Sequence, residues 1–414
     1  MGWIKKLRED NGALKIVTLA VIAFVALFIS DYTNIPNMLY FKFSEIYIYI
    51  FLFTICMVIL LSKGKIYLDS ISFLLAIRAI IYLIPLMYIN VYEGYLGNYF
   101  AVISSLLAYL ISSQRNKISI QKPVNIIFSI LLVVASLQVL YLALILGANG
   151  GLMNVSIWKY HIHTPMGKSN YIACIILPLI IFTFYSETKR VIKYIIVAIG
   201  LAALLIIRSK NAISVLIIFV AIKVIFPYIK HIRKQLKSND DVKPVIIGII
   251  ILIVVIALGI FFMIRYLLIK WNLEMSYDTS SFYEFINAMT SNRLNIYSSE
   301  LSRWTNHMFF GNGLGYGSGD YKSHNWIIDL LSQSGLIGLL TFVSALVIWN
   351  NKTNMYKRTN YFVKSCYYAC IIILFQGLFE VSLFTVEIDI VFWYIIGLSI
   401  SEVNNIRHQV TREG

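Results

Sequence analysis

The sequence predicts an all-α integral membrane protein with about twelve transmembrane helices, and three observations carry the prediction. Apolar stretches of about 18 residues or more recur along the whole chain, each long enough to cross a bilayer as a helix. Only 13% of the 414 residues are charged and 59% are hydrophobic, with a mean hydropathy of +0.76, whereas a soluble domain carries roughly 25% charged residues. Basic residues gather around every second loop, the signature of cytoplasmic loops in a multi-pass protein. No segment is long and polar enough to form a separate soluble domain, so residues 1–414 are expected as a single polytopic membrane domain.

The expected spans are 14–30, 44–62, 68–89, 95–113, 124–147, 169–186, 191–207, 211–228, 245–269, 325–349, 361–379 and 384–401. Lys5, Lys6 and Arg8 precede the first apolar run. That run, Leu14 to Ser30, is long for a signal-peptide core, so it is expected to remain as the first span. With both termini cytoplasmic, the inner loops carry Lys63 and Lys65, then Arg115, Lys117 and Lys122, then Lys189, Arg190 and Lys193. Lys230, Arg233, Lys234 and Lys237 follow, and then Lys352, Lys357 and Arg358. Residues 191–228 could form one long tilted helix, interrupted only by Arg208-Ser-Lys-Asn211. A single span would put the Lys230–Lys237 cluster outside, so the charge pattern favours an outward-facing turn at Arg208 and Lys210.

This distribution explains the net charge of +15 as a topology signal, and no nucleic-acid partner is implied. All four cysteines, Cys56, Cys174, Cys366 and Cys370, lie in apolar runs, where cysteine acts as a small hydrophobe. Cys366 and Cys370 share a helical face, but no His or carboxylate cluster accompanies them, so neither a metal site nor a disulfide framework is expected.

Two outer loops are long, Ala148–Lys168 and Lys270–His324. Loops of this length are usually functional or disordered. The richness of the second in Tyr, Phe and Trp argues for order. It is expected as a large extracytoplasmic loop containing short helices, one of them over Asn292–Asn306 with Arg293, Tyr297, Glu300 and Trp304 on one face.

The residues able to carry chemistry concentrate between Arg293 and Leu340. Gly311, Gly313, Gly315, Gly317 and Gly319 alternate in G-N-G-L-G-Y-G-S-G-D. Without a following Gly-Lys-Ser/Thr they are not a Walker loop, and no strand–helix unit surrounds them as in a dinucleotide site. They read as a flexible turn or as a backbone N–H nest for an anion. His324 and Asn325 open the tenth span, and Asn325, Asp329 and Gln333 form a polar stripe along it. Such a stripe is either a helix cap with helix–helix hydrogen bonds or the lining of a water-filled cavity.

His324 suits proton transfer near neutral pH. Arg293, Arg208, Lys210 and Arg78 are cations on the outer side or within a span, suited to an anionic diphosphate. Arg78 lies inside the third span, where an unpaired charge is costly. His161 and His163 could form half a metal site or a sugar-contacting loop. Glu380, Glu387 and Asp389 could hydrogen-bond sugars or pair with the loop arginines.

The Arg293–Leu340 block resembles the C-terminal signature of the O-antigen polymerase and ligase family (Wzy-type polymerases, WaaL-type ligases). That signature has an Arg opening a helix, a Gly-x-Gly loop, and His-Asn before a helix with a Gly-hydrophobic-hydrophobic-Gly step. Arg293, Gly313 and Gly315, His324 and Asn325, and Gly335 to Gly338 match it in order. Upstream, Gly167-Lys-Ser-Asn170 with Ala173 resembles the family's entry into a middle span, and Ser209-Lys-Asn-Ala212 resembles its Ser-Arg-Gly-Ala turn. Lys210 stands where the family has Arg, with Arg208 two residues earlier, so either cation could take that role.

The resemblance implies a GT-C-like layout with the large extracytoplasmic loop between the ninth and tenth spans. It implies a multi-pass protein of the bacterial inner membrane, with cytoplasmic termini and an outward-facing site. The activity implied is inverting glycosyl transfer, with no metal and no cofactor, from an undecaprenyl-diphosphate-linked oligosaccharide in the lipid bilayer. His324 and Arg293 would be catalytic, and Arg293, Arg208, Lys210 and Arg78 would hold the diphosphate. Asn325, Tyr297, Glu300, Asp329 and Glu380 would contact glycan. A flippase and a chain-length regulator of the same pathway would be further partners.

Polymerisation of O-antigen or capsule repeat units is the leading expectation. The alternative is a ligase that passes finished polymer to lipid A-core. A transporter of lipid-linked oligosaccharide fits less well, because the chain has no evident internal repeat and its polar residues gather at the outer face.

Overall fold

An apolar chain surrounded by lipid must satisfy its backbone polar groups internally, and the helix is the local solution. In the computed structural model, described for residues 11–30, 39–61, 66–89, 94–116, 119–150, 161–223, 284, 287, 292–315, 323–380 and 386–413, almost every element is a helix. In chain order these are α1 (Asn11–Phe28), α2 (Glu45–Leu61), α3 (Ser70–Ile81), α4 (Gly94–Ser113), α5 (Gln121–Gly150), α6 (Ser169–Tyr185) and α7 (Arg190–Ile207). After the helical residues 210–223 come α8 (Arg293–Asn306), α9 (Trp326–Thr353), α10 (Tyr361–Gln376) and α11 (Val386–Glu413). Two short pairings accompany them: β1 (Ile29–Ser30) runs parallel to β2 (Phe41–Lys42), and β3 (His163–Thr164) antiparallel to β4 (Gly167–Lys168).

Among the described residues, six segments are long and apolar enough to cross a membrane: α1, Ser70–Met87, Tyr95–Ser113, Gln121–Gly147, α7 and α9. Ile46–Leu61, α6 and α10 are shorter apolar helices. Over their described residues, the expected spans other than 245–269 overlap helices; that span, residues 224–228, the Lys230–Lys237 cluster, and Gly317 and Gly319 lie outside the described residues. The question over residues 191–228 resolves as a break. Arg208 adopts the left-handed conformation (φ 52°, ψ 35°), its N–H bonds Leu204 O, and helix resumes at residue 210.

The chain, expected as one integral unit, divides into two compact units, Met1–Ile213 with Glu300–Gly414, and Ser214–Ser299. In the smaller unit, Asn287 organises the start of α8. Its backbone oxygen accepts from Asn292 N (2.7 Å) and its Oδ1 from Asn295 N (3.1 Å).

In the larger unit, α4 packs on α2 and α11, α6 lies against α7 and α10, and α3 packs on α9. Hydrogen bonds sort the helix ends into two sets, and these match the two sets of loops that the basic residues separate. At the basic end, the fully buried Lys15 donates to Asn116 Oδ1 (3.0 Å), Ser401 Oγ (2.5 Å) and Gln114 O. Gln121 reaches Glu402 (2.7 Å) there. At the opposite end, Tyr88 OH donates to Gly311 O (2.6 Å) and Asn211 Nδ2 to Gln376 O (3.1 Å).

Asp69 holds the basic end of α3. As N-cap it accepts from Ser72 N (2.9 Å), the Ser72 hydroxyl bonds back to Asp69 N (2.7 Å), and Lys352 lies 3.1 Å away. Burial acts to raise the carboxyl pKa. The Ser72 backbone bond, the Lys352 charge and the Tyr109 hydroxyl outweigh it and hold the group below the usual carboxylate range.

The break in α9 is the least regular feature of the larger unit. Gly335 has φ 65° and ψ −167°, a combination essentially reserved to glycine. A break there strips the helix bonds from Ser332 O, Gln333 O, Leu336 N and Ile337 N. The turn after α8 replaces all four. Asn312 N bonds Ser332 O (2.8 Å) and Gly313 N bonds Gln333 O (2.9 Å). Leu336 N bonds Met308 O (2.9 Å) and Ile337 N bonds Phe309 O (3.2 Å). The two backbones approach so closely that a Cβ on Gly335 would lie 2.3 Å from Phe309 C, and one on Gly311 2.4 Å from Gln333 C. Gly311 and Gly313, read above as turn or anion nest, are thus packed against the broken helix.

Gly335→Ala and Gly311→Ala should each destabilise the protein by at least about 1–3 kcal/mol, read as a lower melting temperature in detergent. Gly97→Ala, whose Cβ would meet its nearest neighbour at 3.4 Å, should melt close to wild type. Asp69→Asn keeps a capping side chain but removes the charge facing Lys352, and should cost up to about 1 kcal/mol near neutral pH. Because the folded-state pKa is depressed, that contribution is present above the ordinary carboxylate range and is lost as the pH falls through it. The two melting curves should therefore converge below about pH 4.

Candidate functional site

The site is assembled where the last turn of α10 meets the first turn of α9. A helix start leaves N–H groups without partners and a helix end leaves carbonyls. Here they serve each other: Trp326 N donates to Gly377 O (2.9 Å) and its indole to Leu374 O (3.2 Å). Asn325 caps α9, its Oδ1 accepting from Ile327 N (2.9 Å) and Ile328 N (3.5 Å). Asp329 Oδ1 accepts from Ser323 N (3.1 Å). This docking carries His324 to Glu380, just beyond the end of α10. Nδ1 of the imidazole is 2.9 Å from Glu380 Oε1.

Glu380 is also tied to α6. The β3–β4 pairing, His163 opposite Lys168, delivers the chain into α6 with Asn170 in its first turn. Asn170 Nδ2 donates to Glu380 Oε2 (3.3 Å). One turn before Glu380, the buried Gln376 donates through Nε2 to Ala173 O (3.2 Å), and its own backbone oxygen accepts from Asn211. The amide oxygens Asn211 Oδ1 and Gln376 Oε1 are buried without a donor among the described residues.

The side chains of His324 and Glu380 are 28% and 7% exposed, so the imidazole faces outward with the carboxylate behind it. His324 has φ 59°, in the left-handed region. For a non-glycine residue this stores about 1–3 kcal/mol of strain, which recurs at functional sites. Arg208 and Lys210, both exposed, flank the buried Ser209 immediately before Asn211.

Three of the segments singled out in the sequence therefore converge: Asn170 with Ala173, residues 208–211, and His324 with Asn325. Gln376 was missed, although a lone amide inside an apolar run is a signal that a reading for polar groups at membrane depth can use. Arg293 and Tyr297 belong to the smaller compact unit. His161 is exposed, and His163 lies on β3.

Several expected glycan or phosphate contacts have internal partners. Asn325 and Asp329 accept backbone N–H groups, so this part of the polar stripe acts as a capped helix start. Glu300 is buried between Arg303 (2.7 Å) and Ser332 Oγ (2.5 Å), joining α8 to the broken helix. Arg78, expected at the diphosphate, is 2% exposed and ion-paired with Asp389 at 3.3 Å. Ser105 (2.8 Å) and Trp393 (3.1 Å) also donate to Asp389, and the guanidinium carbon sits 5.8 Å from the Tyr82 ring. The high cost of an intramembrane cation, which made Arg78 conspicuous, is met by a counter-charge from α11.

Arg78→Met should destabilise the protein by about 3–5 kcal/mol by leaving Asp389 uncompensated. Combining it with Asp389→Leu should recover most of the loss in thermal unfolding. A double variant no more stable than Arg78→Met would refute the pairing as the reason for the loss.

No protein-family model matches the chain, and no curated protein matches it in sequence.

Proposed function

We propose that this protein is a membrane glycosyltransferase that joins lipid-diphosphate-linked oligosaccharide repeat units into O-antigen or capsular polysaccharide. The observation that carries the reading is the meeting of Asn170, Asn211, His324, Gln376 and Glu380 at the end opposite the basic loops. By the positive-inside rule that end faces away from the cytoplasm, where an undecaprenyl diphosphate donor would present its glycan.

In this reading His324 Nε2 takes the proton of the acceptor sugar hydroxyl. The hydroxyl oxygen bonds to the donor's anomeric carbon from the face opposite the diphosphate. The bond from that carbon to the diphosphate oxygen breaks, its electron pair leaving with the diphosphate, and the configuration inverts. The proton on His324 is then released to water. Arg208 and Lys210, exposed beside Asn211, supply positive charge for the leaving diphosphate. Arg293 is assigned a part in the reaction by its place in the motif alone.

A strain lacking the gene, complemented with wild type, His324→Ala or Arg293→Ala at matched membrane levels, tests the reading through its surface polysaccharide ladder. Wild type should restore the ladder, and each variant should leave single repeat units. Long lipid-linked chains that never reach their acceptor would indicate the ligase instead. Normal ladders from both variants would refute the site.

A further inference from the structure

We infer that Glu380 is a positioning residue, which fixes the orientation and tautomer of His324 and is itself fixed by Asn170. This rests on the transfer reading above and assigns Glu380 a different part from the glycan contact expected of it. A carboxylate offers only acceptors, so the 2.9 Å contact requires His324 Nδ1 to carry the hydrogen. The lone pair then lies on Nε2, the nitrogen directed away from Glu380. The second carboxylate oxygen accepts from Asn170 Nδ2 at 3.3 Å, which restrains the carboxylate from the α6 side.

Exposure separates the two roles. Glu380 at 7% is enclosed behind the imidazole, while His324 at 28% is open to a reactant. The local backbone agrees. His324 is held in the left-handed region between the Ser323–Asp329 bond on one side and the Asn325 cap on the other. The proton moves from the acceptor hydroxyl to Nε2, and the imidazolium so formed is balanced by the carboxylate across Nδ1–H. No proton needs to pass to Glu380.

The test is a double-mutant cycle on turnover of the lipid-linked repeat unit extracted from the native strain, with each purified variant checked for its melting temperature. Glu380→Gln should lower kcat about 10–100-fold and leave KM unchanged. Glu380→Asp, which keeps the charge, should restore much of the rate, and a variant that had merely lost its fold would not be rescued in this way. His324→Ala and the double variant His324→Ala/Glu380→Gln should turn over equally slowly, because Glu380 acts only through His324.

A further fall in the double variant, or a raised KM with unchanged kcat in Glu380→Gln, would overturn the inference in favour of direct glycan contact. Full activity in Glu380→Gln while His324→Ala is inactive would overturn it and leave the transfer reading standing. Full activity in His324→Ala would overturn both.

Discussion

A backbone amide surrounded by lipid has no water to bond, and this constraint shapes the larger unit more than any single side chain does. It explains why the break in α9, at Gly335, is matched bond for bond by a neighbouring turn. Two carbonyls and two N–H groups lose their helical partners, and residues 308–313 replace all four. Glycine at 311 and 335 is what lets the backbones approach closely enough. The same accounting governs the contact between α9 and α10. The unpaired donors at one helix start meet the unpaired acceptors at one helix end, and the seam sets His324 beside Glu380.

Charge inside the apolar layer obeys a parallel rule. Arg78 and Asp389 neutralise each other in near-complete burial, with Ser105 and Trp393 meeting further needs of the carboxylate. The pair ties α3 to α11, with Ser105 of α4 bonded to the same carboxylate. The exposed cations Arg208 and Lys210 sit at a helix boundary beside buried polar groups. The contrast separates a charge paired and buried within the bundle from charges exposed at its edge.

The helix layout was readable from sequence because its signals are local: apolar runs fix the helices, and basic clusters fix which ends share a side. The break between α7 and the helical residues after 208 followed from charge parity alone. Asp389 stood out in the sequence as a carboxylate able to pair with an arginine, but its pairing with Arg78 was not readable, because the two lie 311 positions apart. The glycines at 311, 313 and 335 were visible as a pattern, but not the backbone contact they permit. At the candidate site the motifs were legible one by one. Their adjacency was not, since it depends on how α6, α9 and α10 pack. Gln376 and Lys15 were passed over because each looks like a stray polar residue at the margin of an apolar run.

Lys15 has a consequence for how the chain is made. Its ammonium is enclosed by Gln114 and Asn116, at the end of α4, and by Ser401 on α11, 386 positions downstream. The earlier helix thus waits for one made 386 positions later before its charge is fully solvated by protein. Until then, that helix end has to stay near the headgroup layer or water. Insertion of α1 and completion of its packing are therefore separate events, divided by the synthesis of the 386 positions between Lys15 and Ser401.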